Sequence, residues 1–172
     1  MTLANKITVA RIVTVPVIVI GLIEGRTAWV YVLLGLCMAS DFLDGLIARR
    51  RGERTKLGAF LDPMADKLLL ISVFMTLAFL RQIPMWIFVI VFSRDLLIVL
   101  GWSVVYILTG SNDIQPRPLG KITTALQMIT ALACILSPTI FTRPLLWATV
   151  AFTVASAIDY VIIGERKLGA WT

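Results

Sequence analysis

The chain has 172 residues, of which 59% are apolar and 15% are charged, and its mean hydropathy is +0.92. This composition excludes an ordinary soluble domain and leaves room for about six or seven membrane spans of roughly 20 residues each. The formal net charge is +6. Because the cations gather in short loops between apolar segments, we expect contact with anionic lipid headgroups and no nucleic-acid partner.

Six apolar segments follow one another along the chain. They cover residues 8–23, 28–48, 58–80, 84–108, 119–141 and 145–163. The connections between them are short and contain the glycine, proline and charged residues typical of turns. The sequence therefore predicts an all-α polytopic membrane protein with six transmembrane helices, forming a single domain over residues 1–172. The first segment lacks the small-residue pattern of a cleaved signal peptide, so we expect it to be retained.

The distribution of lysine and arginine predicts the topology. Six spans place both termini on the same side of the membrane. Most of the cations fall on that side: Lys6, Arg11, Arg49, Arg50, Arg51, Arg54, Lys56, Arg117, Lys121, Arg166 and Lys167. The opposite side has Arg26, Arg81 and Arg143. By the positive-inside rule, both termini face the cytoplasm, and we expect a bacterial-type inner (plasma) membrane.

Four aspartates occupy the second and third segments, with two in each. At roughly 100° per residue, they form two pairs that each share one helix face with glycine and alanine. The first face has Asp41, Asp44, Gly45 and Ala48, and the second has Gly58, Asp62, Ala65 and Asp66. Each ionisable side chain within a span costs about 2.5 to 3.5 kcal/mol, so the cluster needs compensation.

Two explanations can account for these carboxylates. Salt bridges to Arg49 and Lys67 would be purely structural, but simple pairing does not require small residues on the carboxylate face. The chain has no histidine, and clustered oxygen ligands without imidazole or thiolate suit Mg²⁺ or Mn²⁺. The pattern therefore favours a metal and phosphate site near the cytoplasmic side.

The complete motif resembles the signature of a known enzyme family. It reads Asp41-x2-Asp44-Gly45-x2-Ala48-Arg49-x8-Gly58-x3-Asp62-x3-Asp66, and the CDP-alcohol phosphotransferases have the same residues at the same spacing. Further similarity lies in Asn5-Lys6-Ile7-Thr8-x2-Arg11, Ser93-Arg94-Asp95 and Gly120-Lys121-x2-Thr124-x2-Gln127. These membrane enzymes transfer the phosphoryl-lipid part of a CDP-linked donor to an alcohol and release CMP. The chain looks like the phospholipid branch, which uses CDP-diacylglycerol.

The resemblance implies roles for the four aspartates. Asp41, Asp44 and Asp62 would ligate a pair of divalent cations, with Asp66 close to the second. The cations would hold the pyrophosphate of the donor. Asp66 would also be the catalytic general base, which takes the proton of the acceptor hydroxyl.

The resemblance also implies a donor site and a homodimer. Gly45 and Gly58 would let the nucleotide approach the backbone. Ala48 would keep the pocket open, and Arg49 would pair with phosphate. Membrane lipids would surround the protein.

Three cations are candidates for binding the acceptor alcohol. Arg94 and Asp95 lie inside the fourth segment, where they could simply neutralise each other or where Arg94 could contact an acceptor phosphate. Intramembrane charge is usually functional, which favours the second role. Arg117 and Lys121 flank the start of the fifth segment, where an acceptor role and a plain topology signal are equally plausible.

The identity of the acceptor depends on small departures from two branches of the family. Phosphatidylglycerophosphate synthases, which use glycerol-3-phosphate, usually have Ser-Arg-Glu followed by another arginine, and Gly-Lys-x-Lys-Thr in the fifth span. This chain has Gly101-Trp102 after Ser93-Arg94-Asp95, and Thr123 where the second lysine is expected. Two cations for a dianionic phosphate are missing, which favours phosphatidylglycerol, the acceptor of CMP-forming cardiolipin synthases. Glycerol-3-phosphate is the alternative.

Two other functions fit parts of the pattern. A non-catalytic cation transporter could also place aspartates between helices, although it would more often distribute polar groups along a path or show repeat symmetry. An enzyme that uses CDP-ethanolamine or CDP-choline is disfavoured by the similarity to the phosphatidyl-transferring branch.

Overall fold

The computed structural model describes residues 3–37, 56–109, 118–136 and 142–169. These residues form six helices, and the described ranges contain no strand. The helices are α1 (Leu3–Ile23), α2 (described over Thr27–Cys37), α3 (Lys56–Phe79), α4 (Met85–Thr109), α5 (Pro118–Leu136) and α6 (Thr142–Gly169). Each helix falls on one of the six predicted apolar segments, which confirms the all-α class.

Two helices of the described ranges are long and apolar enough to cross a membrane. They are Pro118–Leu136, with 19 residues, and Thr142–Glu165, with 24 residues. Only 39% and 28% of the most apolar stretch of each helix is buried within the protein, whereas the core helix of a soluble protein is mostly buried. Thr8–Ile23 and Thr27–Cys37 are shorter apolar helices. The predicted count of six spans stays a prediction.

The surface and the interior of the described chain both differ from those of a soluble protein. Large apolar side chains such as Phe79, Ile107 and Trp147 lie exposed on the surface. Within the described ranges, the buried polar residues are Thr8, Arg11, Thr76, Arg94, Asp95, Thr123, Gln127, Thr130, Thr142, Thr149, Thr153 and Ser156. Polar groups must find partners inside the protein when the surrounding medium is hydrocarbon. This arrangement indicates a lipid environment.

The chain divides into two compact units, Met1–Gln82 and Ile83–Thr172. In the first unit, α3 packs against α1. The buried residues Leu69, Val73 and Leu77 recur every four positions along α3, and α1 contributes Ile18 and Leu22. This spacing places the apolar core of α3 on one face of the helix. The single domain predicted from the sequence stays a prediction.

In the second unit, α6 packs against both α4 and α5. The rings of Trp86 and Trp147, near the first residues of α4 and α6, lie 5.5 Å apart between centroids. Arg94 bonds Ser156 further along the same two helices, so α4 and α6 run parallel. This is the relation expected for helices separated by one intervening span.

A ladder of buried polar side chains joins α5 to α6. Gln127 Nε2 donates to Thr153 Oγ1 at 3.1 Å, and the hydroxyls of Thr130 and Thr149 lie 2.6 Å apart. The pairs advance in opposite directions along the two helices, which are therefore antiparallel. Hydrogen bonds between helices are useful in a membrane because the hydrophobic effect does not drive helices together there.

Helices α1 and α3 end in the same kind of turn. The second residue after each helix has the left-handed conformation, Gly25 with φ of 69° and Arg81 with φ of 57°. The next N–H then reaches back five residues to a helix carbonyl, which satisfies an otherwise unpaired acceptor. These two bonds join Arg26 to Gly21 and Gln82 to Leu77.

The two turns predict opposite effects of substitution on stability. A side chain in the left-handed region costs roughly 1 kcal/mol. A Cβ on Gly25 would have no atom within 4 Å, so Gly25→Ala should lower the free energy of unfolding by about that amount through the backbone alone. Arg81→Gly should raise it by up to about 1 kcal/mol. Thermal unfolding in detergent measures both, and a shift of the same sign in the two variants would contradict this account.

Candidate active site

Asp66 lies on α3 and forms an ion pair with Arg11 of α1. Arg11 Nη1 donates to Asp66 Oδ1 at 2.5 Å. The Arg11 side chain is only 3% exposed, whereas that of Asp66 is 26% exposed. The carboxylate therefore lies at an accessible position with a buried cation behind it. Of the four predicted aspartates, it is the one whose side chain the structure describes.

The local sequence explains how the two helices come close at this point. Ala65 precedes Asp66 and is fully buried, and Thr8 and Arg11 are buried three residues apart on one face of α1. The thiol of Cys37, at the described end of α2, lies within electrostatic range of Arg11 and Asp66. Helices α1 and α3 thus contact each other at this ion pair, and the described end of α2 lies near it.

Arg11 is the functional candidate that analysis of the sequence missed. The sequence places it among the cytoplasmic cations and within one of the stretches that carry the family resemblance. The signal that could have identified it is its position three residues inside the first apolar segment. A charge there is costly unless other groups compensate it, and Asp66 is one that does.

The other predicted donor and metal residues lie wholly or partly outside the described part of the chain. Gly58 and Asp62 lie on α3, but what surrounds these two residues is not among the described features. The remaining members lie in the range that is not described: Asp41, Asp44, Gly45, Ala48 and Arg49. Their roles stay predictions.

The chemistry of the donor set fits a divalent cation. Asp62 and Asp66 are one helical turn apart on α3, and the carboxylate of Asp66 is partly exposed. Carboxylate oxygens are ligands suited to Mg²⁺ and Mn²⁺. Among the described residues, no group of three candidate ligands occurs. The side chains of the other three predicted ligands, Asp41, Asp44 and Asp62, lie outside the described part of the chain.

A second polar cluster surrounds Arg94 on α4. The guanidinium is buried, with 4% of its side chain exposed, and its Nη1 donates to Asp95 Oδ1 at 2.7 Å. From α6, Ser156 Oγ accepts from Nη2 at 2.7 Å and from Nε at 3.3 Å. The ion pair considered in the sequence analysis therefore exists, and a hydroxyl on a neighbouring helix supports it.

Helix α5 approaches this cluster through a glycine. A Cβ on Gly120 would lie 3.2 Å from Arg94 Nη2 and 3.2 Å from the hydroxyl of Tyr160. The next residue, Lys121, is exposed. Arg117, the third predicted acceptor residue, lies outside the described ranges. The structure thus places Gly120 of α5 against the Arg94 cluster, and an acceptor role for Lys121 stays a prediction.

These observations define a helical integral membrane protein with polar groups inside and a carboxylate presented at a partly open position. Comparison with known families is more specific. A family model described as CDP-alcohol phosphatidyltransferase matches residues 1–155. The chain belongs to this family and is a phosphatidyltransferase, which decides against the transporter alternative.

Curated relatives come from two branches. The chain is 31% identical over 183 residues to a probable phosphatidylglycerophosphate synthase of Mycobacterium tuberculosis, covering 97% of this chain and 83% of the relative. It is 31% identical to the CDP-diacylglycerol--glycerol-3-phosphate 3-phosphatidyltransferase of Bacillus subtilis, covering 92% of each. It is also 34% identical to a probable CMP-forming cardiolipin synthase of Drosophila melanogaster, over 76% of this chain and 45% of the relative.

Proposed function

We propose that the chain transfers a phosphatidyl group from CDP-diacylglycerol to a glycerol-phosphate acceptor and releases CMP, in glycerophospholipid synthesis. The observation that carries this proposal is the partly exposed Asp66 carboxylate, held against buried Arg11 within the aspartate motif of the family. An accessible carboxylate in a fixed position can accept a proton from an alcohol.

In the proposed reaction, Asp66 takes the proton of the acceptor hydroxyl. The acceptor oxygen attacks the β-phosphorus of CDP-diacylglycerol, and the bond from that phosphorus to the bridging oxygen breaks. CMP leaves with the electron pair. Asp41, Asp44 and Asp62, beside Asp66, would hold two divalent cations, Mg²⁺ or Mn²⁺, whose charge stabilises the pyrophosphate and the departing CMP.

The donor would lie against the small residues of the motif. Gly45 and Gly58 would allow close approach of the nucleotide to the backbone, and Ala48 would leave space for it. Arg49 would pair with a phosphate. A neutral side chain at position 49 should therefore weaken donor binding, which titration of the purified protein with CDP-diacylglycerol can measure.

Phosphatidylglycerol is the acceptor that we favour, with Arg94, Arg117 and Lys121 as its contacts. A phosphodiester carries one negative charge, whereas glycerol-3-phosphate carries about two near neutral pH. Thr123 occupies the position of a lysine expected for the dianionic acceptor. It is fully buried, and its hydroxyl lies 3.2 Å from the carbonyl of Phe152 on α6. The second cation is thus replaced by a residue engaged in helix packing.

Glycerol-3-phosphate is the second candidate because relatives named for it are similar over nearly the whole chain. The two relatives whose names include phosphatidylglycerophosphate synthase or glycerol-3-phosphate match over 97% and 92% of this chain. CMP-forming cardiolipin synthases match over 76% of it in Drosophila melanogaster and 97% in Homo sapiens. Sequence coverage therefore does not separate the two acceptors, and the preference for phosphatidylglycerol rests on local charge.

The deciding experiment is CMP release by the purified protein with CDP-diacylglycerol and Mg²⁺ or Mn²⁺. We expect turnover with phosphatidylglycerol and little with glycerol-3-phosphate, with cardiolipin identified as the lipid product. Turnover with glycerol-3-phosphate alone would overturn the acceptor assignment and leave the transferase. If folded protein releases no CMP with either acceptor, the proposed reaction itself is wrong.

The membrane arrangement completes the proposal. We place both termini and the aspartate motif on the cytoplasmic side of a bacterial-type inner membrane, with lipids around the helices. The excess of cations on one side of the six predicted spans supports this orientation. The proposed homodimer rests on the family resemblance, and light scattering of the protein in detergent would measure its mass.

A further inference from the structure

The guanidinium of Arg94 has donors beyond those used in the cluster. An arginine has five N–H groups. Asp95 accepts one from Nη1, and Ser156 accepts one from Nη2 and one from Nε. Within the described residues, one N–H on each of the two terminal nitrogens is left for another acceptor. These are the nitrogens with which an arginine fork binds phosphate oxygens.

Helix α6 fixes this guanidinium in two ways. The Ser156 hydroxyl accepts from two of its nitrogens, which sets the direction of the fork in its own plane. One turn later, the ring of Tyr160 lies 5.8 Å from Arg94 Cζ, within the range of an attractive cation–π contact. The hydroxyl and the ring therefore restrain the guanidinium from different directions.

Helix α5 closes the cluster at Gly120. A methyl group there would meet Arg94 Nη2 and Tyr160 Oη at 3.2 Å, tighter than ordinary van der Waals contact. Glycine is the residue that lets the guanidinium and the phenol lie against the α5 backbone. Any larger residue should displace one of them by a few tenths of an ångström.

We propose that Ser156, Tyr160 and Gly120 are positioning residues that hold Arg94 so that its two remaining N–H groups are aligned for a phosphate oxygen of the acceptor alcohol. This inference rests on the acceptor role proposed for Arg94. A fork held in place loses less conformational entropy on binding than a mobile side chain, and this increases affinity for the acceptor. The three residues act through Arg94 and need not touch the substrate.

The test compares Ser156→Ala with Thr153→Val. Both substitutions remove a buried hydroxyl of α6 that is bonded to a neighbouring helix, but only Ser156 bonds Arg94. We expect Ser156→Ala to raise the KM for the acceptor about tenfold, as for loss of a hydrogen bond to a charged group. The KM for CDP-diacylglycerol should change by less than about twofold. Thr153→Val should leave both KM values near those of the wild type.

Gly120→Ala is a second variant that keeps every hydrogen-bonding group. Alanine is a better helix former than glycine, so this variant serves if Ser156→Ala fails to fold. We expect it to raise the KM for the acceptor and not that for the donor. Acceptor KM values that are unchanged in the folded variants, or changed equally in Thr153→Val, would overturn the inference.

Failure of the inference is distinguishable from failure of the proposed function. A wild-type protein that turns over with a glycerol-phosphate acceptor, with variants that bind this acceptor equally well, overturns only the positioning roles. A folded wild-type protein that releases no CMP with any such acceptor overturns the proposed function and this inference with it.

Discussion

Asp66→Asn is expected to slow CMP release by about 10²- to 10⁴-fold, the usual contribution of a general base. Asparagine has nearly the shape of aspartate and can still accept the hydrogen bond that Arg11 donates. It cannot take a proton from the acceptor hydroxyl. The variant should therefore still bind CDP-diacylglycerol while losing turnover, as measured by donor titration beside the CMP assay.

Glu165→Gln is the matched control for this substitution. It makes the same carboxylate-to-amide change at an exposed position of α6, and both turnover and donor binding should match those of the wild type. If Asp66→Asn retains near-normal turnover, Asp66 has no part in the mechanism. Loss of donor binding together with turnover would instead indicate that Asp66 acts mainly as a metal ligand.

Arg11→Met should lower the free energy of unfolding by about 1 to 3 kcal/mol, because it removes a charged hydrogen bond and leaves the carboxylate of Asp66 without this cation. Methionine keeps much of the length of the side chain and removes the charge. The Asp66 side chain is 26% exposed, so water can replace part of the lost contact and the cost stays below that of a fully buried orphaned charge. Denaturant or thermal unfolding in detergent measures the change.

A double-mutant cycle with Asp66→Asn separates the ion pair from general packing. Once Asp66 is neutral, Arg11→Met no longer breaks an ion pair with that residue, so its effect on stability should be smaller. Ile18→Ala is the control, because Ile18 is fully buried on the same helix about two turns away. Its effect should be the same with aspartate or asparagine at position 66. Equal effects of Arg11→Met in both backgrounds would contradict a direct coupling.

The sequence was sufficient to predict the helices because hydrophobic length is a local property. Helices α3 and α4 begin and end within two residues of their predicted segments; α4, predicted over 84–108, spans Met85–Thr109. Helix α6 continues six residues beyond its predicted segment, to Gly169. Helix α1 begins at Leu3, five residues before the predicted apolar segment, since polar residues can continue a helix beyond its apolar part.

The part of the candidate site that could be predicted consists of residues that lie close together because they are one turn apart on the same helix. Asp62 and Asp66 are four residues apart, so their placement one turn apart on α3 follows from helix geometry. The contact between Arg11 and Asp66 joins residues 55 positions apart, and no periodicity predicts such a pair. The support of Arg94 by Ser156, 62 positions away, was missed for the same reason.

Composition and spacing within single helices were enough to predict the helical class, the order of the apolar segments, the aspartate motif and the family. Folding was needed to identify the cation behind Asp66 and the hydroxyl, ring and glycine around Arg94. Such contacts depend on how different helices pack, and in an apolar environment a buried charge is stable only beside the partners that packing brings to it.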